Sequence, residues 1–240
     1  MTLIYGHRGA RGEAPENTLA SFQACLNAGV TRCELDLHLS KDKQLMVIHD
    51  ANLKRTTGRS GKVSQHTAEQ LMQIDARLNT VPWPTACPIP SLEQLFALCP
   101  FNHWQLEVKE ASRTRAIETI RAIDELSTRF AMQDKIIISS SSRTVLRAAQ
   151  DQAPHLARGF VAEYAWLDPI KIARRYQCQM LVLNWALCTE QRLGQAQQAG
   201  LHVSVWTVNE PTLMRWLAAC GADSLITDFP GLAIATLGNH

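Results

Sequence analysis

The chain of 240 residues carries no cysteine pattern that could staple a fold or bind a metal. Its seven cysteines (25, 33, 87, 99, 178, 188 and 220) are scattered, odd in number and without a Cys-x-x-Cys pair. This excludes a disulfide framework and a thiolate zinc site. Charge of one sign is also lacking: the formal net charge is +2, which offers no bulk attraction to nucleic acid or to an anionic membrane surface. No apolar run approaches the roughly 20 residues that span a bilayer, so no stable membrane insertion is expected. G-x-G-x-x-G, a Walker loop and G-x-S-x-G are absent, and the serines at 139–142 have no accompanying base. A dinucleotide site, a P-loop and a nucleophile elbow are therefore not expected. Residues 1–6 show no charged start, apolar region or cleavage site, so no leader is expected and a reducing cytoplasm is the predicted compartment.

What is present is an ordinary globular composition, 46% hydrophobic and 19% charged, arranged as alternating strands and helices. Short apolar runs predict strands at 3–6, 32–37, 104–109, 135–139, 157–162, 180–183, 201–208 and 224–227. Between them, helical periodicity with capping residues and terminal glycines predicts helices. One is capped by Asn17 or Thr18 and ends at Gly29; another is capped by Ser91. Eight strands with intervening helices at this length predict a TIM (β/α)8 barrel in a single domain, residues 1–240; a doubly wound open sheet is the competitor. Residues 50–90, with their glycines, prolines and a short helix near 68–74, break the rhythm. They read as a small insertion after the second strand.

In a barrel, chemistry collects at the carboxyl ends of the strands. His7, Arg8, Glu34, Asp36, His49, Glu107, Lys109, Trp206 and Asp228 all fall at or near such ends. Glu34 and Asp36 are two apart and point the same way on a strand. Cys33, Leu35 and Leu37 then face the helices, and the two acids face the interior. Unpaired acids there repel each other and lose hydration, so a hard cation with oxygen ligands is expected. Glu107 has the same phase on the next strand and is the candidate third ligand. Lys109 suits a phosphate oxygen or a salt bridge to an acid. Arg8 offers a planar fork for phosphate. Gly6 and Gly9 are read as permitting close backbone approach to a ligand. His7 and His49 in one pocket would form an acid–base couple near neutral pH. Asp50 is read as orienting an imidazole or capping its turn, and Asp228 as a turn former or a direct participant. Trp206 is read as core or as an apolar wall for substrate. Trp83, Trp166, Trp185 and Trp216 are read as packing residues.

The order His7-Arg8, Glu34-x-Asp36, His49-Asp50 resembles the signature of the glycerophosphodiester phosphodiesterase family. Supporting stretches are Ala14–Thr18, Glu107–Lys109, Val205–Asn209 and Ile226–Pro230, so the likeness runs from residue 4 to about 232. The resemblance implies a TIM barrel and a divalent cation, Mg²⁺ or Ca²⁺, on Glu34, Asp36 and Glu107. It implies His7 and His49 as general acid and base, with Arg8 and Lys109 on the phosphate. The implied substrate is a small glycerophosphodiester, cleaved to sn-glycerol 3-phosphate and an alcohol. Homo-oligomerisation is left open. One departure is Glu110, where relatives often carry proline. Competing functions are a lipid-directed phospholipase or lyase, a non-catalytic phosphate-binding barrel, and a metal-independent sugar-phosphate isomerase barrel.

Overall fold

The computed structural model describes residues 2–80, 82–110, 112–164 and 168–238; Trp166 lies outside them. Parallel strands β1 (Leu3–His7) and β2 (Arg32–Leu39) are joined through helix α1 (Leu19–Asn27), after which β3 (Leu45–Val47) turns back antiparallel on β2. Helices α2 (Lys54–Thr57), α3 (Ala68–Leu71) and α4 (Leu92–Leu98) follow. Six strand–helix units then complete the ring: β4 (His103–Val108) with α5 (Arg113–Arg129), β5 (Ile136–Ser140) with α6 (Arg143–Gln152), β6 (Ala157–Ala162) with α7 (Pro169–Arg175), β7 (Met180–Asn184) with α8 (Glu190–Gln198), β8 (His202–Trp206) with α9 (Pro211–Ala219), and β9 (Ser224–Thr227) with α10 (Pro230–Leu237). The order β1-β9-β8-β7-β6-β5-β4-β2, with β1 also paired to β2, closes an eight-stranded parallel barrel that leaves β3 outside the ring. This is the expected TIM barrel.

Local sequence accounts for the element ends. The Thr18 hydroxyl accepts from the backbone N–H of Ser21, and the Ser21 hydroxyl accepts from that of Thr18, a reciprocal cap that starts α1. Gly29, at φ +83°, takes the chain out of the helix. Ser91 and Gln94 repeat the device at α4. Alternation on the strands splits the apolar residues into two layers. Cys33, Leu35 and Leu37 pack outward under the helices in the main core. Tyr5, Ile137, Val161, Met180, Val182 and Ile226 fill the barrel interior. The insertion has a core of its own, in which Leu53, Val63, Leu71, Ile74 and Ile89 close over Met46 and Ile48.

Two expectations about tryptophan need correction. Trp185 and Trp216 are 47% and 39% exposed, whereas Trp104 is fully buried against Phe22, Phe96 and Phe101. Trp104 sits on β4 in register with Cys33 of β2, on the strand face that packs outward beneath the helices. Trp216 sits on α9, a helix whose buried contacts are made by Met214 and Leu217.

Candidate active site

Barrel register brings the acids together. His7 pairs with Glu34 across β1–β2, and Asp36 pairs with Glu107 across β2–β4. Side chains two apart on β2 therefore meet one from each neighbouring strand at the carboxyl end of the ring. Glu34, Asp36 and Glu107 each offer an oxygen within 4.8 Å of the others. Glu34 Oε1 is buried without a hydrogen-bond partner, and a buried, unsatisfied carboxylate oxygen is costly without a cation. The donor set is all oxygen and acidic, which fits a hard divalent ion.

The charges around the cluster are unequal. Burial, together with the neighbouring Asp36 and Glu107, pushes Glu34 well above the usual carboxylate range. Burial pushes Glu107 up to about 7, against the pull of Lys109. Burial also penalises Asp36, but Arg8 and Lys109 outweigh it and hold that carboxyl below its ordinary range. The contacts explain this: Arg8 Nε is 3.0 Å from Asp36 Oδ2, Lys109 Nζ is 2.9 Å from Asp36 Oδ1, and Asn17 Nδ2 donates to Asp36 Oδ2 at 3.0 Å. Asp36 is thus the fixed anion, while Glu34 and Glu107 hold protons readily.

Each histidine has a carboxylate behind it. His7 Nδ1 is 2.6 Å from Asp228 Oδ1, and Asp228 also accepts from Asn209 Nδ2 at 2.8 Å. His49 Nδ1 is 2.5 Å from Asp50 Oδ1. An ionised carboxylate only accepts, so Nδ1 carries the proton in both rings and Nε2 is left for other partners. Burial lowers the pKa of both imidazoles, opposed for His7 by Asp228 and for His49 by Asp36. His7, Arg8, Glu34, His49, Glu107, Lys109 and Trp206 line one pocket, together with Glu163 and an apolar wall of Val161, Val182 and Ile226. Asp36 lies fully buried at its base. All eight candidate residues therefore converge, and Asp228 joins them through His7.

Several expectations resolve differently. Asn17 is not the helix cap; it bonds Asp36, and Thr18 caps. Arg8 Nη1 bonds Glu16 Oε1 at 2.8 Å as well as pairing with Asp36. Arg55, unnoticed in the sequence, forks onto both Glu16 oxygens at 2.8 Å and reaches Asp50 at 2.7 Å. It ties the insertion to the barrel behind His49. Its partner Glu16 lies 39 positions away, a spacing that no local pattern reveals.

The fold itself requires Gly6 and Gly9. A side chain on Gly6 would meet Cys25 Sγ and the Gly9 carbonyl at 2.4 Å. At Gly9, which has φ +82°, it would lie 2.5 Å from the Ser21 backbone. The two glycines let the β1 turn nest on α1. Gly9→Ala is expected to cost about 3 kcal/mol through backbone strain and overpacking, read as a lowered midpoint in urea unfolding. A loss below about 0.5 kcal/mol would contradict this account.

Comparison with known proteins agrees with this geometry. Residues 7–232 match the glycerophosphoryl diester phosphodiesterase family. A glycerophosphodiester phosphodiesterase of Caldanaerobacter subterraneus subsp. tengcongensis is 30% identical over 95% of each chain. An Oleispira antarctica phosphodiesterase, solved in complex with the product sn-glycerol-3-phosphate, superposes with a TM-score of 0.88 at 26% identity, over 99% of this chain and 97% of that one. A Silicibacter pomeroyi structure, described as a putative glycerophosphoryl diester phosphodiesterase, shares the fold with a TM-score of 0.90 at 24% identity, over 99% of this chain and 93% of that one. With its closed barrel and with a match spanning nearly its whole length, the chain belongs to the glycerophosphoryl diester phosphodiesterase family.

Proposed function

We propose that the chain, acting as one barrel domain, is a metal-dependent hydrolase of glycerophosphodiesters. Its products are sn-glycerol 3-phosphate and an alcohol such as choline or ethanolamine. The observation that carries this reading is the three-carboxylate cluster set beside two histidines, each with Nδ1 committed to its own carboxylate. Glu34, Asp36 and Glu107 would hold Mg²⁺ or Ca²⁺, which supplies positive charge to the non-bridging oxygens of the phosphate. Arg8 and Lys109 add fixed positive charge on the same side. His7 Nε2, kept neutral by burial, takes the proton of the attacking hydroxyl, from water or from the neighbouring glycerol 2-hydroxyl by way of a cyclic phosphate. His49, entering the step as the imidazolium with a proton on each nitrogen, gives the Nε2 proton to the departing alcohol oxygen as the P–O bond breaks and keeps the Nδ1 proton on Asp50. Trp206 and the apolar wall exclude water from one side of the substrate. Seven free thiols suit a reducing, cytoplasmic setting.

The test is release of glycerol 3-phosphate from glycerophosphocholine. EDTA should abolish release, and Mg²⁺ or Ca²⁺ should restore it. The metal requirement should also depend on pH with a definite sign. Glu107 is pushed up to about 7 and Glu34 stands well above its ordinary value, so below neutral pH protons compete for the ligand oxygens. The half-saturating metal concentration should rise about 10-fold per pH unit for each proton displaced. No release with any cation would overturn the reading. Release from lysophospholipids alone would redirect it to a lipid substrate.

A further inference from the structure

Strand β2 aligns a third polar side chain with its two acids. His38 follows Glu34 and Asp36 at the same two-residue step, and the mechanism above does not use it. It is 6% exposed, and its Nε2 lies 3.0 Å from the carbonyl oxygen of His49. A carbonyl can only accept, so Nε2 carries the proton and donates it. Among the described residues no backbone N–H reaches that oxygen, which leaves His38 to satisfy it. The chain just before His49 is pinned separately, by Ile48 N–H donating to the Asp36 carbonyl at 3.1 Å.

The ring of His38 is itself walled in. Glu110 Oε1 lies 4.0 Å from its Nδ1. Arg115 grips Glu110 through Nε at 3.1 Å and Nη2 at 3.2 Å, and Nη2 also donates to the Leu39 carbonyl at 3.1 Å. The assembly links β2, the start of α5 and the segment after β3.

We propose that His38 is a positioning residue: through the His49 carbonyl it sets the His49 imidazole against the leaving-group oxygen. This rests on the reading of His49 as the leaving-group acid. Proton donation needs heavy atoms within about 3 Å of each other, and a small displacement of the donor weakens it steeply. Asp50 fixes the ring about its own plane, while His38 fixes the backbone from which the ring hangs.

The experiment compares two esters, glycerophosphocholine and the glycerophosphodiester of p-nitrophenol, whose alcohol leaves without help from an acid. His38→Ala should lower kcat on the choline ester about 10-fold with KM changed less than about 2-fold. On the nitrophenyl ester kcat should fall less than about 3-fold. His38→Gln, which can donate to the same carbonyl, should recover most of the loss. A His38→Ala variant that loses both esters equally, or neither, overturns the proposal, as does a Gln variant no better than Ala. If His38→Ala does not fold, the Gln variant and His38→Asn carry the same comparison. His49→Ala separates the two readings. Without ester selectivity in that variant, the acid assignment fails and the proposal with it. With selectivity there but not in His38→Ala, the proposal alone fails.

Discussion

Glu34→Gln and Asp36→Asn should both reduce turnover by about 10³-fold or more, and yet differ sharply in stability when metal is removed. From the sequence the two acids look equivalent, and each substitution looks harmless to the fold. The structure separates them. Glu34 stands well above the usual carboxylate range, because burial and two nearby acids disfavour its charge. Without the ion its charged form is the disfavoured one, so the neutral amide removes little that the fold relies on. Its stability should change by less than about 1 kcal/mol. Asp36 is ionised and balances Arg8 and Lys109 at 3.0 and 2.9 Å. Removing its charge leaves two cations facing a neutral amide in a buried site, a loss of about 3 kcal/mol. The measurement is thermal unfolding of each variant with EDTA and then with saturating Mg²⁺ or Ca²⁺. Wild type should gain stability from the ion, and neither variant should. A Glu34→Gln protein that retains both the gain and the activity would remove Glu34 from the ligand set.

The second large effect is expected at His7. His7→Ala should lower kcat by about 10²-fold or more on both esters, since the base is needed whatever alcohol departs. That pattern distinguishes it from His49→Ala. Asp228→Asn then tests how the ring is held. The carboxylate accepts from Nδ1 at 2.6 Å and fixes the tautomer that leaves Nε2 as the base. An amide can instead donate to Nδ1 and favour the other tautomer, in which Nε2 carries the proton and cannot act as base. A loss of about 10²-fold or more in kcat is expected. The pH profile gives the sign. Burial lowers the His7 pKa, and Asp228 opposes that by stabilising the imidazolium. Without the carboxylate the pKa should fall further, so the acid limb of kcat/KM should move to lower pH while the plateau drops. A limb that moves to higher pH would show that Asp228 does not face a titrating His7.

Much of the site was legible before any coordinates. The two-residue step between Glu34 and Asp36 fixes a shared face on any strand, and flanking apolar residues say which face is which. The barrel followed from counting strand–helix alternations, because parallel strands require crossovers and eight of them close a ring. Element ends were legible wherever a side chain bonds its own local backbone, as Thr18 and Ser91 do.

Other features needed the chain to fold. Asp228 was ambiguous because its partner, His7, is 221 positions away and meets it only where β9 closes on β1. Arg55 and Glu16, and likewise His38 and the His49 carbonyl, meet because the insertion folds back over the ring, and no periodicity encodes that return. The spacing of Gly6 and Gly9 says that something approaches closely without saying what, and only the fold shows that α1 does. The elements, their inward faces and the chemical types at the strand ends are written in the order of residues, because each depends on neighbours a few positions apart. Which carboxylate stays charged, which nitrogen of each histidine is free and which side chains hold them emerge on folding, because they depend on burial and on partners brought together through space.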